Sequence, residues 1–226
     1  MGLSNEREEN TMDKRINYLI GLDTETCNGI LTDDKLDLSQ SLVYDLGWAI
    51  VDKKGHIYKT RSFVIAETFV GMKDVMKSAY YADKIPTYWN DIKNGSRVLA
   101  SFWTVWKAFK QDAKEYNVNQ FCAHNASFDV RALNNTIRYL SGSKYRYFFP
   151  YNAELWDTLK MARQTIGKQV SYKRYCVNNS FMTRHRIPQV RLTAEILYRY
   201  ISGNIEFSEN HTGLEDVLIE TAIMAH

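Results

Sequence analysis

Asp23 and Glu25 stand two positions apart at the end of the apolar run 16–22. On an extended segment residues i and i+2 share a face, so the two carboxylates can serve one site. Aspartate is disfavoured in strands, and neighbouring like charges repel unless a cation or a proton lies between them. A divalent cation would satisfy the pair, although Asp-x-Glu also arises by chance in a chain with 26 acids.

A second element, His124-Asn125-Ala126-Ser127-Phe128-Asp129, follows a short apolar run and leads into a helical pattern. It sets Asp129 in the first turn of a helix, where the helix dipole alone would also explain an acid. His124 reads as structural, and Phe128 either as core or as a platform for a base. The third element is His211-Thr212-Gly213-Leu214-Glu215-Asp216, in which Thr212 and Glu215 have the spacing of a capping box. That spacing starts a helix at Thr212 and places Asp216 at the edge of an apolar stripe containing Leu214, Val217, Leu218 and Thr221. His211, just before the cap, is stationed to take a proton from a water, since an unperturbed imidazole titrates at about 6.5. Among the other acids, Asp157 reads as an N-cap of a helix from Thr158 or as an aid to the site, and Glu220 as an exposed acid. Asp33, Asp34 and Asp37 read as part of a solvated loop.

Taken in order, Asp23-Thr24-Glu25, the His124 to Asp129 segment and His211-x4-Asp216 resemble the three exonuclease motifs of the DEDDh branch of the DnaQ-like 3′→5′ exonucleases. Trp156-Asp157-Thr158-Leu159 is similar to a short Asp-Thr segment of that family, and the likeness is thinnest over 160–203. The resemblance implies two Mg²⁺ or Mn²⁺ ions, hard cations that prefer oxygen ligands, held by Asp23, Glu25, Asp129 and Asp216. It implies His211 as general base and nucleoside 5′-monophosphates as products. Thr24, Thr26, Asn125 and Phe128 would border the substrate.

Positioning these residues asks for a particular set of elements. The run 16–22 suits a strand buried on both faces. Segments 43–51 and 57–65 are rich in β-branched and aromatic residues around the turn Asp52-Lys53-Lys54-Gly55, which predicts a hairpin. Met72, Val75, Met76, Ala79 and Tyr80 predict a helix closed by Pro86, and Val98, Leu99, Phe102, Val105, Trp106 and Phe109 a second one. A strand over 119–124, a helix over 128–140, a strand over 153–156 and a last helix over 213–225 follow. The expected fold is α/β: a ribonuclease H-like mixed five-stranded sheet flanked by helices, one domain over 16–226 behind a flexible tail over 1–15.

The composition, with 45% hydrophobic residues and only 3 prolines, excludes a disordered or collagen-like chain. No run reaches the roughly 20 apolar residues of a membrane helix, and the polar start lacks a signal-peptide core, so the expected location is cytoplasmic. Cys27, Cys122 and Cys176 are scattered and read as small buried hydrophobes. Charge is segregated: residues 130–200 hold thirteen Lys and Arg against three acids, while 201–226 hold five acids and no Lys or Arg. A polyanion beside an acidic metal site fits that field. Lys173 and Arg174, interleaved with Tyr172 and Tyr175, are expected to hold the phosphates of single-stranded DNA or RNA 3′ ends. Docking a polymerase or another replication or repair protein is the competing use of that segment. A nuclease-dead binding module and an endonuclease on the same fold are the competing activities, the former disfavoured because all five motif residues are present.

Overall fold

The sequence from Tyr18 to Cys27 is apolar enough to be buried on both faces, and it forms β1 (Tyr18–Cys27) at the middle of the sheet. The computed structural model describes residues 13–27, 31–32, 35–36, 40–77 and 79–226. Residues 1–12 of the expected tail, and Asp33, Asp34 and Asp37, lie outside the described residues. β1 pairs antiparallel with β4 (Leu42–Asp52) and parallel with β7 (Gln120–Ala123). Between them, β2 (Leu31–Thr32) and β3 (Lys35–Leu36) form a two-stranded ladder inside the connection expected to be a solvated loop. β4 turns at Gly55, whose φ of 80° glycine adopts without strain, into β5 (Ile57–Ile65).

The sheet has six strands rather than five, in the order β6-β5-β4-β1-β7-β8. The additional strand is β6 (Val98–Ala100), which runs parallel to β5. Its apolar residues abut those of α4 (Phe102–Glu115), so the sequence reads as one helical stripe. Ser101 divides them: its side chain accepts the Thr104 N–H at 3.2 Å and starts the helix one residue later. The predicted helix around 72–80 is reduced to the single turn α2 (Lys73–Met76), which follows another single turn, α1 (Ala66–Phe69). Pro86 opens α3 (Ile85–Asn94) instead of closing a helix, because a missing N–H costs nothing in a first turn.

Odd and even positions of β1 face different helices. Tyr18, Ile20 and Leu22 pack with Trp48, with Phe102 and Phe109 of α4, and with Leu133 and Ile137 of α5 (Ser127–Ser141). Leu19 faces Val217 and Met224 of α9 (Gly213–Ala225), beside Ala49 and Val51 of β4. β8 (Glu154–Asp157) closes the far edge. The segment 158–203, which carries little periodicity in the sequence, forms α6 (Thr158–Gln164), α7 (Val170–Asn178) and α8 (Ala194–Ser202). These cover the outer side of α9, where Ile219 and Ile223 meet Tyr172 and Leu197. All three cysteines are buried and unpaired. No helix among the described residues is long and apolar enough to cross a membrane.

The start of α9 rests directly on β4 backbone. A Cβ added at Gly47 would lie 2.2 Å from the Leu214 nitrogen, and one at Gly213 would lie 2.7 Å from the Gly47 nitrogen. Gly47→Ala should therefore lift the helix and destabilise the protein by about 1–3 kcal/mol, the range for overpacking. Urea unfolding measures this, and an unchanged midpoint would mean that α9 does not sit on β4.

Candidate active site

β1, α5 and α9 deliver the motif acids to one cleft of about 700 Å³. Asp23, Glu25 and Asp216 present oxygens that all lie within 4.8 Å of one another. Asp129, in the first turn of α5, joins them through Thr24, whose amide and hydroxyl donate to its Oδ1 at 3.2 and 2.8 Å. A fifth carboxylate lines the same cleft. Glu220, expected to be exposed, is 5% exposed and accepts the His124 backbone N–H at 3.0 Å. The signal for it was α9 itself: a helix apolar on nearly every side is buried all round, so an acid within it is buried too.

Crowding acids in a place with little water raises their affinity for protons. Burial pushes the Glu25 carboxyl up to about 9, with Asp216 and Asp45 adding to it. Asp129 and Asp216 rise to about 7, both chiefly by burial. Asp23 and Glu220 are driven well above the usual carboxylate range by burial and by the surrounding acids. Asp216 Oδ1 is buried with no hydrogen-bond partner among the described residues. An all-oxygen donor set with an orphaned lone pair and surplus negative charge fits hard divalent cations.

His211 adopts the left-handed conformation, φ 50°, on the approach to α9. Its ring stacks on Tyr81, with centroids 4.6 Å apart and planes at 13°. Nδ1 lies 3.6 Å from Glu209 and 4.0 Å from Asp216. Burial, aided by the Lys84 charge, lowers its pKa and keeps the imidazole neutral. Lys84 also donates to the carbonyl of Asn210.

The predicted capping box does not form: the Thr212 hydroxyl donates to Glu215 and accepts no helix N–H. The cap comes from across the sheet, where Asp45 accepts the Gly213 N–H at 3.0 Å. Asp45 is wholly buried and also accepts from Tyr88 at 2.7 Å and Arg97 at 3.0 Å. It had no local signal, because its partners lie 43 or more residues away in sequence.

The other expected residues divide. Asn125, at φ 66°, and Phe128 line the cleft. Thr24 also lines it, with its hydroxyl committed to Asp129, whereas Thr26 is half-buried and outside it. Lys173 and Arg174 are exposed on α7 and do not line the cleft; Arg163, His185 and Arg191 do. The basic segment thus supplies cations to the site from α6 and from the loop before α8. His124 is structural as read, its ring nitrogens 2.8 Å from the Thr158 hydroxyl and 2.8 Å from the Leu192 carbonyl. Asp157 is the N-cap of α6, accepting from Leu159 and Lys160.

Two solved structures share this architecture. The nuclease domain of 3′hExo, a DEDDh family member bound to rAMP, superposes with a TM-score of 0.50 at 14% identity, covering 94% of this chain and 92% of that one. S. pombe Pop2p in its Mg²⁺- and Mn²⁺-bound form gives 0.51 at 12% identity, covering 93% of this chain and 82% of that one. The fold is the ribonuclease H-like mixed sheet of these proteins, here six-stranded. No family model and no curated protein sequence matches the chain.

Raised carboxyl pKa values fix the sign of a stability test. The folded protein holds protons that the unfolded chain releases, so without metal this contribution is full below the usual carboxylate range. It is lost as pH rises through about 7 for Asp129 and Asp216 and about 9 for Glu25. Melting in EDTA should fall from about pH 5 to about pH 8, and Mg²⁺ should restore several degrees at the higher pH. Equal curves with and without Mg²⁺ at the higher pH would exclude cation binding by this cluster.

Proposed function

We propose that this chain is a metal-dependent 3′→5′ exonuclease of the DEDDh type that removes nucleoside 5′-monophosphates from an unpaired 3′ end, single-stranded DNA before RNA. The observation that carries the reading is the convergence of Asp23, Glu25, Asp129, Asp216 and His211, from three distant parts of the chain, on one cleft. The likeness to 3′hExo and Pop2p supports it, the first holding a nucleoside monophosphate and the second Mg²⁺ and Mn²⁺. The competing reading, a nuclease-dead module, is disfavoured because such a module commonly lacks at least one motif residue, and all five line this cleft.

Asp23, Glu25, Asp129 and Asp216 would hold two Mg²⁺ or Mn²⁺. Such ions, when bound, acidify a water and offset charge at the scissile phosphate. The residues do the rest. Neutral His211 accepts the proton of the attacking water, with Tyr81 fixing the plane of its ring. Phe128 offers a face for the terminal base, and Asn125 an amide beside it. Arg163 and Arg191 draw the strand to an otherwise acidic cleft. An unpaired end is preferred because fraying a duplex costs about 1.4 kcal/mol per base-pair step.

Asp23→Ala should lower turnover of a single-stranded oligonucleotide by orders of magnitude in Mg²⁺ while leaving the fold intact. His211→Ala should slow it by about 10²–10⁴-fold with Mg²⁺ affinity retained. Mononucleotide release by chromatography reads both. Undiminished degradation in excess EDTA, or near-normal turnover by Asp23→Ala, would refute the site; collapse of Mg²⁺ affinity in His211→Ala would make that histidine a ligand.

A further inference from the structure

Behind the N-terminus of α5 lies a second cavity of about 430 Å³ that the reaction does not use. Arg131 and Arg138 of α5 and Lys160 of α6 line it, over an apolar floor that includes Val130 and Leu155. Arg131 is exposed and makes no hydrogen bond or ion pair among the described residues. The one acid in the lining, Asp157, is committed: its Oδ1 accepts the N–H groups of Asn125, Leu159 and Lys160 at 3.1–3.2 Å, and its Oδ2 lies 3.4 Å from the Lys160 ammonium. With Lys160 offset by Asp157, the two arginines leave the lining net positive, and a cavity of this size and charge selects an anionic ligand.

Its position says which anion. The bond from the Asn125 N–H to Asp157 joins a residue of the catalytic cleft to one of the second cavity. Along α5, Phe128 faces the cleft while Ser127, Val130 and Arg131 face the cavity. Along α6, Arg163 faces the cleft and Lys160 the cavity. One turn of each helix therefore separates the two sites. Beyond the cavity, the Arg138 guanidinium lies 4.7 Å from the ring of Tyr147, which is 61% exposed. Alternating cations and an exposed aromatic face are the pattern that holds a flexible single strand.

We propose that this cavity is the upstream subsite of the nuclease, taking a nucleotide and its phosphates from the substrate strand on the 5′ side of the scissile bond. The proposal rests on the exonuclease reading for its ligand. It makes Arg131 and Lys160 determinants of substrate length and leaves them apart from the chemistry.

The test is binding of 5′-fluorescein oligothymidylates of increasing length, read by anisotropy in Ca²⁺ so that no turnover is needed. Wild type should bind longer strands more tightly than a dinucleotide. Arg131→Ala with Lys160→Ala should lose that gain, by roughly tenfold or more, and keep dinucleotide affinity. Each single-strand phosphate contact contributes about 0.7 to the slope of log K against log salt, so the slope for long strands should shrink by about 1.4. Lys173→Ala with Arg174→Ala is the comparison pair, exposed on α7 and outside both cavities. An unchanged slope, an equal loss at every length, or a length gain abolished only by the α7 pair would overturn the assignment. A wild type that binds with this length dependence and yet fails to cut in Mg²⁺ would refute the nuclease reading and leave the subsite standing.

Discussion

Six carboxylates drawn into one cleft, Glu209 among them, repel each other, and the architecture around them is arranged to hold them there. Two of them are tied to donors on other elements. Thr24 of β1 holds Asp129 of α5, and the His124 backbone at the end of β7 holds Glu220 of α9. Asp45 of β4, its charge offset by Arg97, fixes the first N–H of α9 and with it the direction in which Asp216 points. What these donors leave over, such as the orphaned oxygen of Asp216, is capacity for a cation. An unpaired acid is costly to bury, so a site of this kind stands only while the sheet and both helix layers grip it from every side.

Much of this was legible before any coordinates. Asp23 and Glu25 follow from period-two alternation on β1, and Asp129 and Asp216 from their places at helix starts; these are local relations that sequence carries. Both strands of the hairpin were found for the same reason. The sixth strand was missed because its three apolar residues run without a break into the stripe of α4, and only the Ser101 cap separates two periods. Asp45 and Tyr81 gave no local sign, because each acquires its role from a partner brought close by the fold, and Glu220 was marked only by the apolar character of α9 around it. Lys173 and Arg174 show where sequence stops: the basic segment is legible, but without helical phase the cations facing the cleft cannot be told from those facing water.

α9 links the two halves of the molecule. Its inner side completes the core under β1 and β4, its outer side anchors α6 to α8, and two of the six clustered acids ride on it. Amphipathic helices at a surface tolerate polar substitution on one side; this one has little such side, and Leu218 is its exposed large apolar residue. The Gly47 and Gly213 contact makes the docking close enough for Asp216 to meet β1.

That arrangement governs when the carboxylate cluster can first assemble. Asp23 and Asp216 are separated by nearly the whole chain, and a protein emerging from the ribosome at about 5–20 residues per second folds its early segments first. The sheet and α5 can form while α9 is still in the exit tunnel, but Asp23, Glu25 and Asp129 then lack Asp216 and Glu220. A nascent chain thus lacks the complete carboxylate cluster until α9 docks. Fragments that stop short of α9 should be sticky, since they bare the apolar face of the sheet that α9 would cover.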